Sequence, residues 1–178
     1  MFRLDLHENC LQPVQKVSFS ELNLRERCHL QEWLAKHPNA LTDDNVDDEL
    51  LIIQKEFSGF SDTNERLDLL AIDKKGNLVI IENKLDDSGR DVVWQAIKYT
   101  GYCSSLNKAQ IVSIYQDFLN KQQCEQKRDA AEVLADFLER DSLDEVVLNA
   151  AQSQRVILVA ARFRKEVTNT ALWLMGFG

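Results

Sequence analysis

The stretch Arg66–Leu85, RLDLLAIDKKGNLVIIENKL, holds two apolar runs separated by a Lys-Lys-Gly-Asn turn, and its reading decides the fold. Each run has the length of a strand, and the turn at Lys74–Asn77 predicts that the two pair as a hairpin. Three charges break the pattern. Asp68 lies inside LDLLAI, and Glu82 and Lys84 close NLVIIENK, where burial normally excludes charge. Side chains alternate faces along a strand, so Glu82 and Lys84 share one face, Ile81 and Asn83 the other, and Asp68 on the paired strand reaches the Glu82 face.

Unpaired buried carboxylates cost several kcal/mol, and two that converge repel unless a proton or a cation intervenes. A divalent cation meets that need. Hard oxygen donors favour Mg²⁺ or Mn²⁺, with Asp68, Glu82 and the backbone carbonyl of Asn83 as ligands and water in the remaining positions. Lys84 beside the ion would stabilise developing negative charge or hold an attacking water, an arrangement suited to phosphodiester hydrolysis. A plainer arrangement stays open on these residues alone: a same-face Glu82–Lys84 ion pair, with Asp68 paired to Arg66 or capping a turn.

Working outward, LNLRERCHLQEWLAKHPNAL reads as a helix that starts in a capping box of Asn23 and Glu26, carries Cys28, Leu30, Trp33 and Leu34 on its apolar face, and stops at Pro38. An acidic loop, TDDNVDDE, leads to the strand LLIIQKEF, and SGFSDTNE connects it to the hairpin. From Gly89 onward Val92, Val93, Ala96, Ile97 and Tyr99 recur at helical spacing. The segments QIVSIYQDFLNKQ and DAAEVLADFLER are amphipathic helices whose apolar stripes are expected in the core. RVILVAARF predicts a strand covered on both faces, and KEVTNTALWLMGFG a further helix, its terminal Gly-Phe-Gly leading toward one more strand.

The chain of 178 residues, 44% hydrophobic and 28% charged, has the composition of one globular domain. Residues 1–19 are expected as an N-terminal extension and 104–152 as a helical insertion in a single domain spanning 1–178. No apolar run approaches the ~20 residues of a membrane span, and MFRLDLHENC lacks the pattern of a signal peptide, so a cytoplasmic protein is expected. Cys10, Cys28, Cys103 and Cys124 lie far apart, and with His7, His29 and His37 they form no zinc pattern. A net charge of −8 argues against a broad basic surface gripping many phosphates.

Asp68, then thirteen intervening residues, then Glu82-Asn83-Lys84, followed by QAIKYTGY, resembles the PD-(D/E)xK nuclease superfamily, in particular its NucS-like endonuclease branch. The resemblance extends from Leu24 to Gly178 and implies a restriction-endonuclease-like α/β core, a small mixed β-sheet flanked by helices in the order αβββαβ. It implies a metal-dependent endonuclease acting on DNA, with Asp68 and Glu82 holding the metal, Lys84 positioning the water, and Gln95 supporting the site in a QxxxY motif whose tyrosine is Tyr99. A helix glutamate often completes such sites; Glu32 is the expected one, with a solvated carboxylate as its alternative. Two departures stand out: Leu67 where the motif has proline, and the acidic balance. The latter fits members that add a C-terminal DNA-binding or dimerisation domain or use a basic partner protein, with the chain then a fragment. Three alternatives to the nuclease stay open: an inactive nuclease-fold binding or assembly module, an enzyme on small nucleotides, and a purely structural protein.

Overall fold

A computed structural model describes residues 1–42, 48–60, 65–122 and 128–177. Most of the expected acidic loop, the middle of the SGFSDTNE connection, Cys124 and Gly178 lie outside the described residues. The N-terminal extension contains an exposed hairpin, β1 (Phe2–Asp5) paired antiparallel with β2 (Cys10–Pro13). A wide π-helical turn at Glu26–Leu30 then runs directly into α1 (Gln31–Lys36), and Pro38 opens a 3₁₀ turn that ends it.

This first helix departs from the expected start and apolar face. Asn23 adopts φ +53° in a turn instead of capping, Arg25 occupies the N-cap without a side-chain bond, and Glu26 is thereby free to turn toward the sheet. Trp33 points outward, 42% exposed, against Phe19 and His29, and Cys28 is exposed. The buried face is Leu30, Gln31 and Leu34.

The central sheet comprises β3 (Leu50–Phe57), β4 (Leu67–Asp73), β5 (Leu78–Asn83) and β6 (Arg155–Val159), in that spatial order. The first three are antiparallel and β6 runs parallel to β5, which makes the sheet mixed. Parallel return needs a long crossover. The chain supplies it with α2 (Val92–Ser104), α3 (Lys108–Lys121) and α4 (Ala130–Phe137), and α5 (Lys165–Met175) follows β6. α2 packs on β5 and β6, and α3 on β3. Ile111 of α3 and Leu134 of α4 are fully buried in the same apolar cluster as Leu67, Leu69, Ile80 and Ile81, so the segment 104–152 shares the core of the sheet.

The hairpin turn between β4 and β5 forms as its residues dictate. Gly76 takes φ +81°, a left-handed conformation that costs glycine little, and the Asp73 carboxylate accepts the backbone N–H groups of Lys75 and Asn77, both at 2.9 Å. β6 departs from expectation. Among the described residues it is an edge strand, and Val156 is 43% exposed where α2 and α5 leave part of its face uncovered. At the C-terminus α5 ends in a turn at Gly176 and Phe177.

Candidate active site

The antiparallel register of β4 and β5 pairs Leu69 with Ile81, and its continuation sets Asp68 opposite Glu82 at the end of the sheet away from the hairpin turn. Directly opposed residues share a face, so the two carboxylates converge as the alternation requires. Asp68 is half-buried, and its Oδ2 accepts the backbone N–H of Asn83 at 2.9 Å; it is not paired to Arg66, whose guanidinium lies 3.9 Å from Glu56. Glu82 is only 2% exposed, and its Oε1 has no hydrogen-bond partner among the described residues.

Burial is the main force on both acids. Loss of water pushes Glu82 up to about 8, with the Asp68 charge adding to it and the Lys84 ammonium opposing. Burial likewise raises Asp68 to about 6, against the Asn83 N–H bond and Lys84. Both carboxyls are therefore pushed toward holding a proton, Glu82 the more strongly, unless a cation takes its place.

Lys84 stands between two acids, its Nζ 4.0 Å from Glu82 Oε2 and 3.6 Å from Glu26 Oε1. Glu26 also accepts the backbone N–H of Leu85 at 2.9 Å through its other oxygen, which fixes the π-helical turn to the end of β5. Such turns recur at functional positions. Gln31, 2% exposed, donates from Nε2 to the Asp68 carbonyl at 3.2 Å and so ties the first helix to β4 beside the acid. Glu56 borders the group from β3, bound by Arg27 and held at φ +52°.

From the opposite helix, Tyr99 is buried and stacks on Phe60 with ring centroids 5.1 Å apart. Desolvation, with the charges of Glu82, Glu65 and Asp68, pushes its phenol up to about 12, so it stays neutral. Gln95 lies one turn before Tyr99 on the same helix face, half-buried and without a side-chain hydrogen bond among the described residues.

Glu32 lies elsewhere. Its carboxylate pairs with Lys55 at 2.7 Å, and the helix acid beside Lys84 is Glu26. Six residues separate the two, about one and two-thirds helical turns, so they leave the helix on different faces. One sequence signal distinguishes them: Glu26 continues the i, i+4, i+8 row of the buried Leu30 and Leu34, and Glu32 does not. Gln31 and Glu56 have no comparable signal, since each depends on which strand the helix meets.

Among the described residues no three His, Cys, Asp or Glu side chains close around one point as a full ligand cage would. The donors that fit a divalent cation are thus two carboxylates and the carbonyl of Asn83, the last residue of β5, with the orphaned Glu82 Oε1 ready to coordinate. A sparse set of hard oxygens completed by water is the habit of Mg²⁺.

No family model matches the chain, and no curated protein matches it. Among solved structures, the crystal structure of a repair endonuclease from Pyrococcus abyssi is similar, with a TM-score of 0.44 and 14% identity over 93% of this chain and 48% of that one. The chain spans about half the length of that protein.

Proposed function

We propose that this chain is a metal-dependent nuclease that hydrolyses phosphodiester bonds of DNA. The observation that carries the reading is Glu82: a nearly solvent-free carboxyl with an oxygen unbonded among the described residues, facing a second acid across the hairpin and a lysine two residues on, just past the end of β5. A structural ion pair would satisfy both oxygens; this arrangement reserves one of them.

In the proposed mechanism Asp68, Glu82 and the Asn83 carbonyl would hold Mg²⁺ or Mn²⁺. When bound, the ion supplies charge neutralisation at the phosphate and a water of lowered pKa. Lys84, its ammonium beside Glu82, would hold the attacking water and offset the charge that builds on the phosphoryl oxygens. Glu26 orients that ammonium, Gln31 fixes the backbone of Asp68, and Tyr99 keeps the floor of the site dry. Gln95 extends the site along the helix, its amide, unbonded among the described residues, offered to the substrate or its water.

A second reading, an inactive module on the same fold, draws on the absence of a three-acid cage among the described residues and on the net charge of −8. One experiment separates the two. Purified protein with Mg²⁺ or Mn²⁺ is expected to cut linear, branched or single-stranded DNA, and Lys84→Ala to lower the rate by about a hundredfold, the scale of losing one preorganised charge stabiliser, while keeping metal binding. Metal binding without cleavage of any of the three would favour the module, and no metal binding at millimolar concentration would remove the nuclease reading.

A further inference from the structure

The edge of the sheet beyond β5 carries a face that the site chemistry does not use. No strand pairs the outer edge of β6 among the described residues. Ile97 of α2, Val156 of β6, Phe163 of the following connection, and Leu172 and Met175 of α5 are between 41% and 74% exposed, and all line one groove of about 680 Å³. Arg155 is the charged residue in its wall, and it is engaged by Asp48 at 2.8 Å and Asp73 at 3.2 Å. Beside the groove, Trp173 and Phe177 are 64% and 72% exposed and meet edge to face with ring centroids 4.6 Å apart. They are not part of the groove wall; they form a projecting aromatic pair next to it.

We propose that this face joins two copies of the chain, the Trp173–Phe177 pair of each copy entering the groove of the other. A projection and a recess on the same helix are self-complementary, which is the condition for a closed two-fold interface. Aromatic side chains bury ~150–250 Å² each and aliphatic ones somewhat less, so these residues, 41–74% exposed, together offer roughly 600–1,000 Å², on the order of what each partner contributes to a stable interface. Aromatic residues and methionine are enriched in interface cores, and acids and lysines depleted, as they are here. The groove wall carries no acid, so no like carboxylates meet there, and the repulsion between two copies of net charge −8 acts at long range, where salt screens it.

Association through this face does not depend on nuclease activity and is measured without it. Sedimentation velocity of the full chain from about 1 to about 100 µM, a span centred on micromolar affinity, is expected to show a dimer that tightens with added salt. Leu172→Glu and Trp173→Glu change exposed side chains and are expected to weaken association at least about a hundredfold with unchanged circular dichroism. The wild type supplies a second measure, a shift of tryptophan emission to shorter wavelength as concentration rises. A wild type that stays monomeric with invariant emission overturns the proposal, as does a dimer that survives both substitutions.

Discussion

Glu82 shows how one residue couples the site to the stability of the whole. In the unfolded chain it ionises near 4.5 and in the fold at about 8, while Asp68 moves from 3.8 to about 6. Both folded values lie above the unfolded ones, so the folded state binds more protons across this window. The stability these two groups contribute is therefore full below about pH 4, falls as pH rises because the unfolded chain releases its protons first, and is lost once pH passes about 6 for Asp68 and about 8 for Glu82. Urea denaturation in chelator is expected to show a less stable protein at pH 8 than at pH 5, and Glu82→Gln to flatten that slope. A protein equally stable at both values would mean that Glu82 is not buried as described. At this scale the sequence exposes the core of the site and hides its surroundings. Asp68, Glu82 and Lys84 are legible because charge inside an apolar strand is costly wherever the strand packs. Glu26, by contrast, acts through a helix end whose position against β5 is fixed by tertiary packing, and Asn23 three residues earlier offers a local capping pattern that the fold does not use.

Among the elements, the strands and the hairpin were the most legible. Leu50–Phe57 is a strand over its whole quoted run, and the turn at Lys74–Asn77 joins β4 and β5 as expected. Period and turn chemistry are local, so they survive in the sequence. The exposure of β6 is not local: its continuous apolar run suits a covered strand and an edge strand awaiting a partner equally well. The hairpin turn itself bears a sharp test. Gly76 has φ +81°, and an added Cβ would stand 3.0 Å from the Val147 carbonyl oxygen and 3.2 Å from Leu148 Cδ2. Gly76→Ala combines a left-handed backbone with a tight contact and is expected to cost about 1–3 kcal/mol in chemical denaturation. Gly89 also has positive φ, +71°, but an added Cβ there meets nothing within 4 Å, so Gly89→Ala is expected to cost only the backbone part, about 1–2 kcal/mol. Equal losses at the two positions would mean that the contact with residues 147–148 contributes nothing.

For the whole molecule, several cations around the sheet are already engaged by acids. Lys74 and Lys75 belong to the hairpin turn, at the end opposite the acids, and Lys74 is held by Glu49 at 3.3 Å and Glu139 at 3.1 Å. Lys98 is paired with Glu65. Arg90, ahead of α2, and Arg162, after β6, make no ion pair among the described residues and lie toward the acid end. With a net charge of −8, this chain is expected to neutralise few phosphates. Binding of DNA by a Glu82→Gln variant is expected to be weak, with a log–log salt slope of about −2 to −4, measured by fluorescence anisotropy. A slope near −8 would reveal a basic surface not visible in this arrangement, and a further DNA-binding domain or basic partner protein would steepen the slope of the complex in the same way.

The hairpin end is stitched to the rest of the chain through main-chain atoms. Asn149 donates its N–H to the Gly76 carbonyl at 2.8 Å and its side-chain amide to the carbonyls of Cys103 and Leu106, Lys74 reaches the Phe137 carbonyl at 2.9 Å, and Lys108 that of Leu143 at 2.6 Å. These bonds join the β4–β5 turn, the end of α2, the start of α3, the end of α4 and the approach to β6. Local opening that exposes any one of them strands several buried carbonyls at once. In native-state hydrogen exchange the amides of Asn77 and Asn149 are accordingly expected to be released only by global unfolding, in one cooperative unit with the β-sheet, while the exposed β1–β2 hairpin exchanges early and on its own.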